Sequence, residues 1–212
     1  MAEFLVVCDV DSTLINEEVI DMLADIAGVG SEVAAITERA MNGQLDFVSS
    51  LSARVALLTG LTVDTLGSIA ESVTLTPGAR DLVDAVHAAG GEIVAVSGGF
   101  HEILDPLGAH LGLDDWSANR FEVNDGVLTG RLVGPVIDST AKAQILVKSA
   151  ATRGIQLTRT IAVGDGANDL EMMRTAGISV AFCAKPIVAD QADVSIAERD
   201  LSRVASLFGR IA

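Results

Sequence analysis

The chain has few aromatic side chains: no tyrosine, one tryptophan and six phenylalanines among 212 residues. Packing must fall to Ala, Val, Ile and Leu, the palette of a buried parallel sheet wrapped by helices. Histidine is also scarce. The three present (His87, His101, His110) have no metal-ligand spacing with one another, which argues against an imidazole-bound metal. Cys8 and Cys183 lie in apolar runs that read as buried strands, so both are expected to be small core residues rather than a disulfide. Positive charge is short as well, with 14 Lys+Arg against 29 Asp+Glu and a formal net charge of −15. Such a surface repels nucleic acid and anionic lipid, so the expected partner is a small molecule. An anionic ligand would need a local positive site made of a metal and a few placed cations.

No apolar run reaches the roughly 18 residues of a membrane span. The N-terminus has no basic stretch ahead of its apolar run, and Asp9 interrupts that run. The expectation is a cytoplasmic protein without a signal peptide. Half the residues are hydrophobic and 20% are charged, enough for one large core or a core with an insertion.

Residues 4–8 (Phe-Leu-Val-Val-Cys) form a continuous apolar run ending in Asp9-Val10-Asp11-Ser12-Thr13. That pattern predicts a fully buried strand that delivers polar groups at its carboxyl end. From Asn16, read as an N-cap, to about Ala27 the period becomes helical, with Val19, Ile20, Leu23 and Ile26 on one face. Further helices are predicted over about 31–41, 46–58 and 62–71, with no strand before Leu75. Strand and helix then alternate. The pattern gives a helix at 79–89, a strand at 92–96, a polar turn at Ser97-Gly98-Gly99 and a helix from 101. Asn124-Asp125-Gly126 signals a hairpin. A helix at 140–153 leads to a strand at 160–163, the acidic turn 165–169, an apolar run at 179–182 and a terminal helix from about 199.

The expected fold class is α/β, a doubly wound parallel sheet with a small helical cap inserted after the first strand. Residues 1–14 and 75–212 would form the core and 15–74 the cap. In open parallel sheets ligands bind at the carboxyl ends of strands, so the clusters 9–13, 97–99, Lys142 and 165–169 can converge on one crevice. Carboxylates without a His or Cys cluster make a hard-oxygen site, which favours Mg²⁺ over zinc or copper.

Taken singly these features are ordinary. Two aspartates near a turn often only form the turn, and a lone helical lysine is usually solvated. Their order carries the information: apolar strand, DVDST, SGG, an isolated lysine, then strand and GDGAND. In that order the sequence resembles the haloacid dehalogenase superfamily, and within it the phosphoserine phosphatases, from about Leu5 to Asp193.

The resemblance implies that Asp9 is a nucleophile and Asp11 the general acid and base. It implies Mg²⁺ held by Asp9, the Asp11 backbone carbonyl and Asp165, with Asp169 orienting that shell through water. Ser97, the backbone at Gly98, and Lys142 would bind phosphoryl oxygens, with Gly99 supporting the turn. Thr13 would steady the nucleophile loop. Asn168 would either face the substrate or cap the following helix. In the insertion, Asn16-Glu17-Glu18, 41–47 and Arg54 resemble the cap of phosphoserine phosphatases. By that match Glu18 would take the ammonium of O-phosphoserine and Arg54 its carboxylate, with Met41 and Phe47 as an apolar wall. Taken as isolated residues, Met41 and Phe47 read as core packing. The mild departures, at Glu171-Met172 and Phe182-Cys183 before Ala184-Lys185-Pro186, are expected to lie away from the chemistry. Because the first strand begins almost at Met1, an N-terminal regulatory region is expected to be absent. The implied reaction ends serine biosynthesis. The competing readings are a phosphatase or phosphotransferase for another small monoester, and a non-catalytic phosphate-binding module.

Overall fold

The computed structural model describes residues 2–211; Met1 and Ala212, the ends of the expected core, lie outside the described residues. The first apolar run is strand β1 (Leu5–Cys8), and all four of its residues are buried. Its neighbours are β2 (Glu92–Phe100) and β5 (Thr160–Gly164), both parallel to it, with Leu5 opposite Glu92 and Thr160. The strands β3 (Asp115–Asn124), β4 (Val127–Val133), β6 (Ile178–Phe182) and β7 (Val194–Ile196) complete a sheet of order β4-β3-β2-β1-β5-β6-β7. Only the β3–β4 pair is antiparallel among the described residues. The chain builds β2–β4 on one side of β1 and then crosses to place β5–β7 on the other, so a crevice opens at the β1 carboxyl end.

Side chains alternate across the sheet, as a period of two requires. Val6, Cys8, Ile93, Ala95, Ile161 and Val163 pack on one face. Leu5, Val7, Val94, Val96 and Ala162 pack on the other with Leu146, Ala150, Met172 and Met173. The helices follow the sequence periods: α1 (Val19–Ala27), α2 (Gly30–Met41), α3 (Phe47–Ala56), α4 (Val63–Ser72), α5 (Ala79–Ala88), α6 (His101–Leu111), α7 (Ser139–Arg153), α8 (Leu170–Thr175) and α9 (Pro186–Ala189). Side-chain caps set three of the starts: Asp46, Thr62 and Asp138 accept from Ser49 N, Thr65 N and Ala141 N. Helices α1–α4 fill the stretch between β1 and α5, and Ile15 bridges Leu75 where the chain leaves and rejoins the sheet. Among the described residues no helix is long and apolar enough to cross a membrane.

Several local expectations fail for tertiary reasons. Ser97-Gly98-Gly99 is not a turn; it continues β2, because Phe100 still pairs with Asn119 and the Asn119 amide donates to Gly98 O at 2.8 Å. Helix α1 starts at Val19 rather than Asn16. The Asn16 amide instead donates to Thr74 Oγ1 (2.9 Å) and Leu75 O (3.1 Å), tying the two chain crossings together. Ile26 does not join the buried face of α1 and is 56% exposed. Cys183 lies beyond β6, half-buried, with a left-handed φ of 47°. Strands β3 and β4 are longer than the hairpin signal suggested, although the turn at Asp125 (φ 49°) and Gly126 (φ 80°) is where it was expected.

Candidate active site

Asp9 ends β1 with its N–H still donating to Val163 O at 2.9 Å, so its side chain is delivered by the sheet itself. The next five residues make one wide turn, closed by Ile15 N donating to Val10 O at 3.0 Å. Inside it Asp11 is extended and Ser12 is left-handed at φ 57°. That turn throws the Asp11 carboxylate back over the strand tips: Oδ1 accepts from Val19 N (2.9 Å) and Oδ2 from Ser97 Oγ (3.1 Å). Ser97 Oγ in turn accepts from Gly99 N at 2.7 Å. A Cβ at position 99 would sit 2.5 Å from Asp11 Oδ2, so any residue but glycine there would force the Asp11 carboxylate to shift.

Below this layer lies a charge cluster, of which Lys142 and Asp169 are wholly out of the open cavity. Lys142, placed in the first turn of α7 by the Asp138 cap, is fully buried. Its ammonium donates to Asp9 Oδ1 at 2.6 Å and Asp169 Oδ1 at 2.7 Å. Asp169 is likewise fully buried and also accepts from Gly166 N at 3.1 Å. Thr13 Oγ1 donates to Asp165 Oδ1 at 3.1 Å, linking the β1 loop to the β5 loop. Burial pushes the Asp9 carboxyl well above its ordinary range, helped by the charge of Asp169 and opposed by Lys142. Asp165 is raised by burial and then by Asp169. Burial works against the charge on Lys142, but Asp169 and Asp9 outweigh it and hold its pKa above the usual lysine value.

Asp9, Asp165 and Asp169 each bring an oxygen within 4.8 Å of the other two. A compact set of hard oxygen donors with excess negative charge fits a small divalent cation, so the site can hold a metal. Asp169 is thus one of the three clustered carboxylates. The Asp11 carboxylate, bonded to Val19 and Ser97, lies outside it.

Above the cluster opens a cavity of ≈ 710 Å³ that Asp9, Asp11, Asp165, Gly98 and Asn168 line from the sheet side. Glu18, Met41, Phe47 and Arg54 line it from the helices. All the site residues expected from sequence therefore either face this cavity or lie in the layer that supports it. Glu18 Oε1 accepts from Ser12 Oγ at 2.6 Å, and desolvation in the cavity, then the charge of Asp11, push its carboxyl up to about 7. Arg54 donates to Ser50 O at 3.4 Å and, among the described residues, pairs with no carboxylate. Burial lowers its pKa while Asp21 and Glu18 raise it. Phe47 covers Gly98 so closely that a Cβ on Gly98 would lie 3.1 Å from its ring. Met41 lines the cavity yet is 67% exposed, so it belongs to the rim rather than the core.

Phe182 and Cys183 do not line this cavity, but the residues just after them do, through Lys185 and Ile187. The available signal was their place after β6, where the strand-end rule applies as it does to β1 and β5.

Carboxylates and a lysine gathered at the carboxyl ends of a doubly wound sheet, beside a metal-competent acidic cluster, define a ligand-binding site of the kind that α/β enzymes use. Residues 6–174 match the haloacid dehalogenase-like hydrolase family, and the chain belongs to it. A phosphoserine phosphatase of Streptococcus thermophilus is 49% identical over 98% of this chain and 96% of its own length. One from Mycobacterium tuberculosis is 47% identical over 97% of this chain, which spans 50% of that longer relative. Among solved structures, a phospho-aspartyl intermediate analogue of phosphoserine phosphatase superposes with a TM-score of 0.91 at 43% identity, covering 97% of this chain and 99% of the other. A substrate-bound phosphoserine phosphatase complex matches with the same score and identity, covering 97% and 98%.

Proposed function

We propose that this chain hydrolyses O-phosphoserine to serine and phosphate through a phosphoryl group carried on Asp9, as the last step of cytoplasmic serine biosynthesis. An Asp9 carboxylate oxygen attacks phosphorus, and the bond from phosphorus to the serine oxygen breaks. Asp11 gives its carboxyl proton to that oxygen as it leaves. Burial holds the Asp11 pKa above the usual value, the direction an acid needs. As a carboxylate, Asp11 then takes a proton from water, whose oxygen attacks phosphorus and releases phosphate from Asp9. Ser97, the backbone at Gly98, and Lys142 stabilise the charge on the transferring oxygens, with Gly99 supporting them.

Asp9, Asp165 and the Asp11 carbonyl are the residues that would hold Mg²⁺, with Asp169 orienting them. When bound, the ion supplies charge neutralisation and alignment of the phosphoryl oxygens. Residues 15–74 act as a cap over the core. Within it Glu18 takes the substrate ammonium, Arg54 forks onto its carboxylate, and Met41 and Phe47 exclude water. Asn168 donates to the substrate from the core side.

The observation that carries this reading is the opposition of charges across one cavity. Glu18 and Arg54 offer both signs on the helical side, and the Asp9–Lys142 pair lies beneath on the other. An amino acid bearing a phosphate needs all three. The test is steady-state kinetics with Mg²⁺ on O-phosphoserine and on p-nitrophenyl phosphate. Arg54→Ala raises the KM for O-phosphoserine steeply and barely changes the aryl phosphate. Equal losses on both substrates would remove the assignment of Arg54 to the carboxylate.

A further inference from the structure

Arg199 lies beyond the last sequence motif, between β7 and the C-terminal helical segment Leu201–Arg210, and it reaches back to the loop that carries Asp9 and Asp11. Its Nε donates to Asn16 Oδ1 at 2.8 Å, and its Nη2 donates to Ser12 O at 3.3 Å and Ile15 O at 3.5 Å. Among the described residues no carboxylate lies within ion-pair distance of this guanidinium, so its hydrogen bonds go to neutral oxygens.

The choice of oxygens matters. Ser12 is a non-glycine residue at φ 57°, a disfavoured conformation that persists only where its surroundings hold it. Three contacts do so: Ser12 N donates to Glu17 O (3.1 Å), its hydroxyl donates to Glu18, and its carbonyl accepts from Arg199. The residue before it is Asp11, and the residue after it is Thr13, which holds Asp165. Through Asn16, whose amide reaches Thr74 and Leu75, the same guanidinium also braces both crossings between the helices and the sheet. The arginine itself is fixed from behind: Asp200 caps the C-terminal segment and Leu201 N donates to Pro77 O at 2.8 Å.

We infer that Arg199 is a positioning residue for the reaction. It holds the left-handed Ser12 peptide so that Asp11 points at the leaving oxygen while the cap stays tied to the core. The inference rests on the reading of Asp11 as the proton donor and gives Arg199 no contact with substrate.

That role has a signature that mere loss of stability lacks. The serine alkoxide is a poor leaving group and needs the Asp11 proton, whereas p-nitrophenolate leaves without one. A misplacement of about 1 Å can cost on the order of 10² in rate. In Arg199→Gln, kcat on O-phosphoserine should fall by roughly that factor, ~10², and kcat on p-nitrophenyl phosphate much less. Millimolar methylguanidinium added to Arg199→Ala should restore part of the O-phosphoserine rate and leave the aryl rate unchanged. Arg199→Lys, which keeps one donor and the charge, should fall between. Equal losses on the two substrates, no loss at all, or failure of all three variants to fold would each overturn the inference. Inertness of the wild-type protein toward O-phosphoserine counts against the substrate reading alone, and the same comparison is then made with whichever alkyl phosphate it does hydrolyse.

Discussion

Replacing Lys142 by methionine removes what is, among the described residues, the only cation paired with two carboxylates that are almost wholly out of water. Lys142 and Asp169 are 0% exposed and Asp9 is 5% exposed, with ammonium-to-oxygen distances of 2.6 and 2.7 Å. The pair need not stabilise the fold relative to a hydrophobic substitute, but breaking it strands charge in a low-dielectric layer. Removing one partner of such a pair typically costs about 3–5 kcal/mol. For a chain of this size each kcal/mol moves Tm by about 2–4 °C, so Lys142→Met should melt about 6–20 °C lower at neutral pH.

The sign of the pH dependence follows from the carboxyl groups. Asp9 already has a raised pKa with the lysine present, and removing the ammonium raises it further. The folded variant therefore holds protons that its unfolded chain releases, and its stability declines as pH rises through the window between the two pKa values. The defect should be largest at alkaline pH and shrink as acid neutralises the pair. The assay is thermal and urea unfolding of both proteins, with chelator present, across a pH series. Mg²⁺ added afterwards should recover more stability in the variant than in the wild type, since a cation bound among Asp9, Asp165 and Asp169 supplies the missing charge. A variant as stable as the wild type at alkaline pH, or a defect that grows in acid, would refute the reasoning.

Two further outcomes follow from single contacts. Gly99→Ala places a methyl 2.5 Å from Asp11 Oδ2 and 2.9 Å from Ser97 Oγ, so it should cut kcat by about 10² while thermal unfolding moves little. An unchanged kcat would show that the Asp11–Ser97 contact is dispensable. Glu18, whose carboxyl sits near 7, is neutral below that pH and charged above it, so its hold on an ammonium should strengthen as pH rises. Accordingly kcat/KM for O-phosphoserine should climb through about 7 more steeply in the wild type than in Glu18→Gln, which lacks the titrating group. Parallel profiles would assign the rise to the substrate phosphate.

Local chemistry made much of this molecule legible. The unbroken apolar run 5–8 could only be a strand buried on both faces, and Asp125-Gly126 named its own turn. The strand-end rule then gathered Asp9, Asp11, Asp165 and Asn168 before any coordinates. What stayed hidden was decided by partners remote in sequence. Ser97-Gly98-Gly99 has turn composition, and only the Asn119 amide, bonded to Gly98 O and accepting from Ile137 N, keeps it extended. Asn16 has the chemistry of a helix cap but finds better partners in Thr74 and Leu75. Lys142 gives no sign in its own helix that it is buried, because its burial depends on two aspartates from other strand ends. Arg199 was invisible for the same reason: it matters through what the fold sets beside it.

The account stands on Asp9 as the carrier of the phosphoryl group. Its most direct test is an acid quench of the protein during turnover of ³²P-labelled O-phosphoserine with Mg²⁺, followed by peptide mapping. The label should be found on the peptide containing Asp9, labile in alkali as an acyl phosphate is, and absent from Asp9→Asn. Label on any other residue, or Asp9→Asn turning over at the wild-type rate, would contradict it.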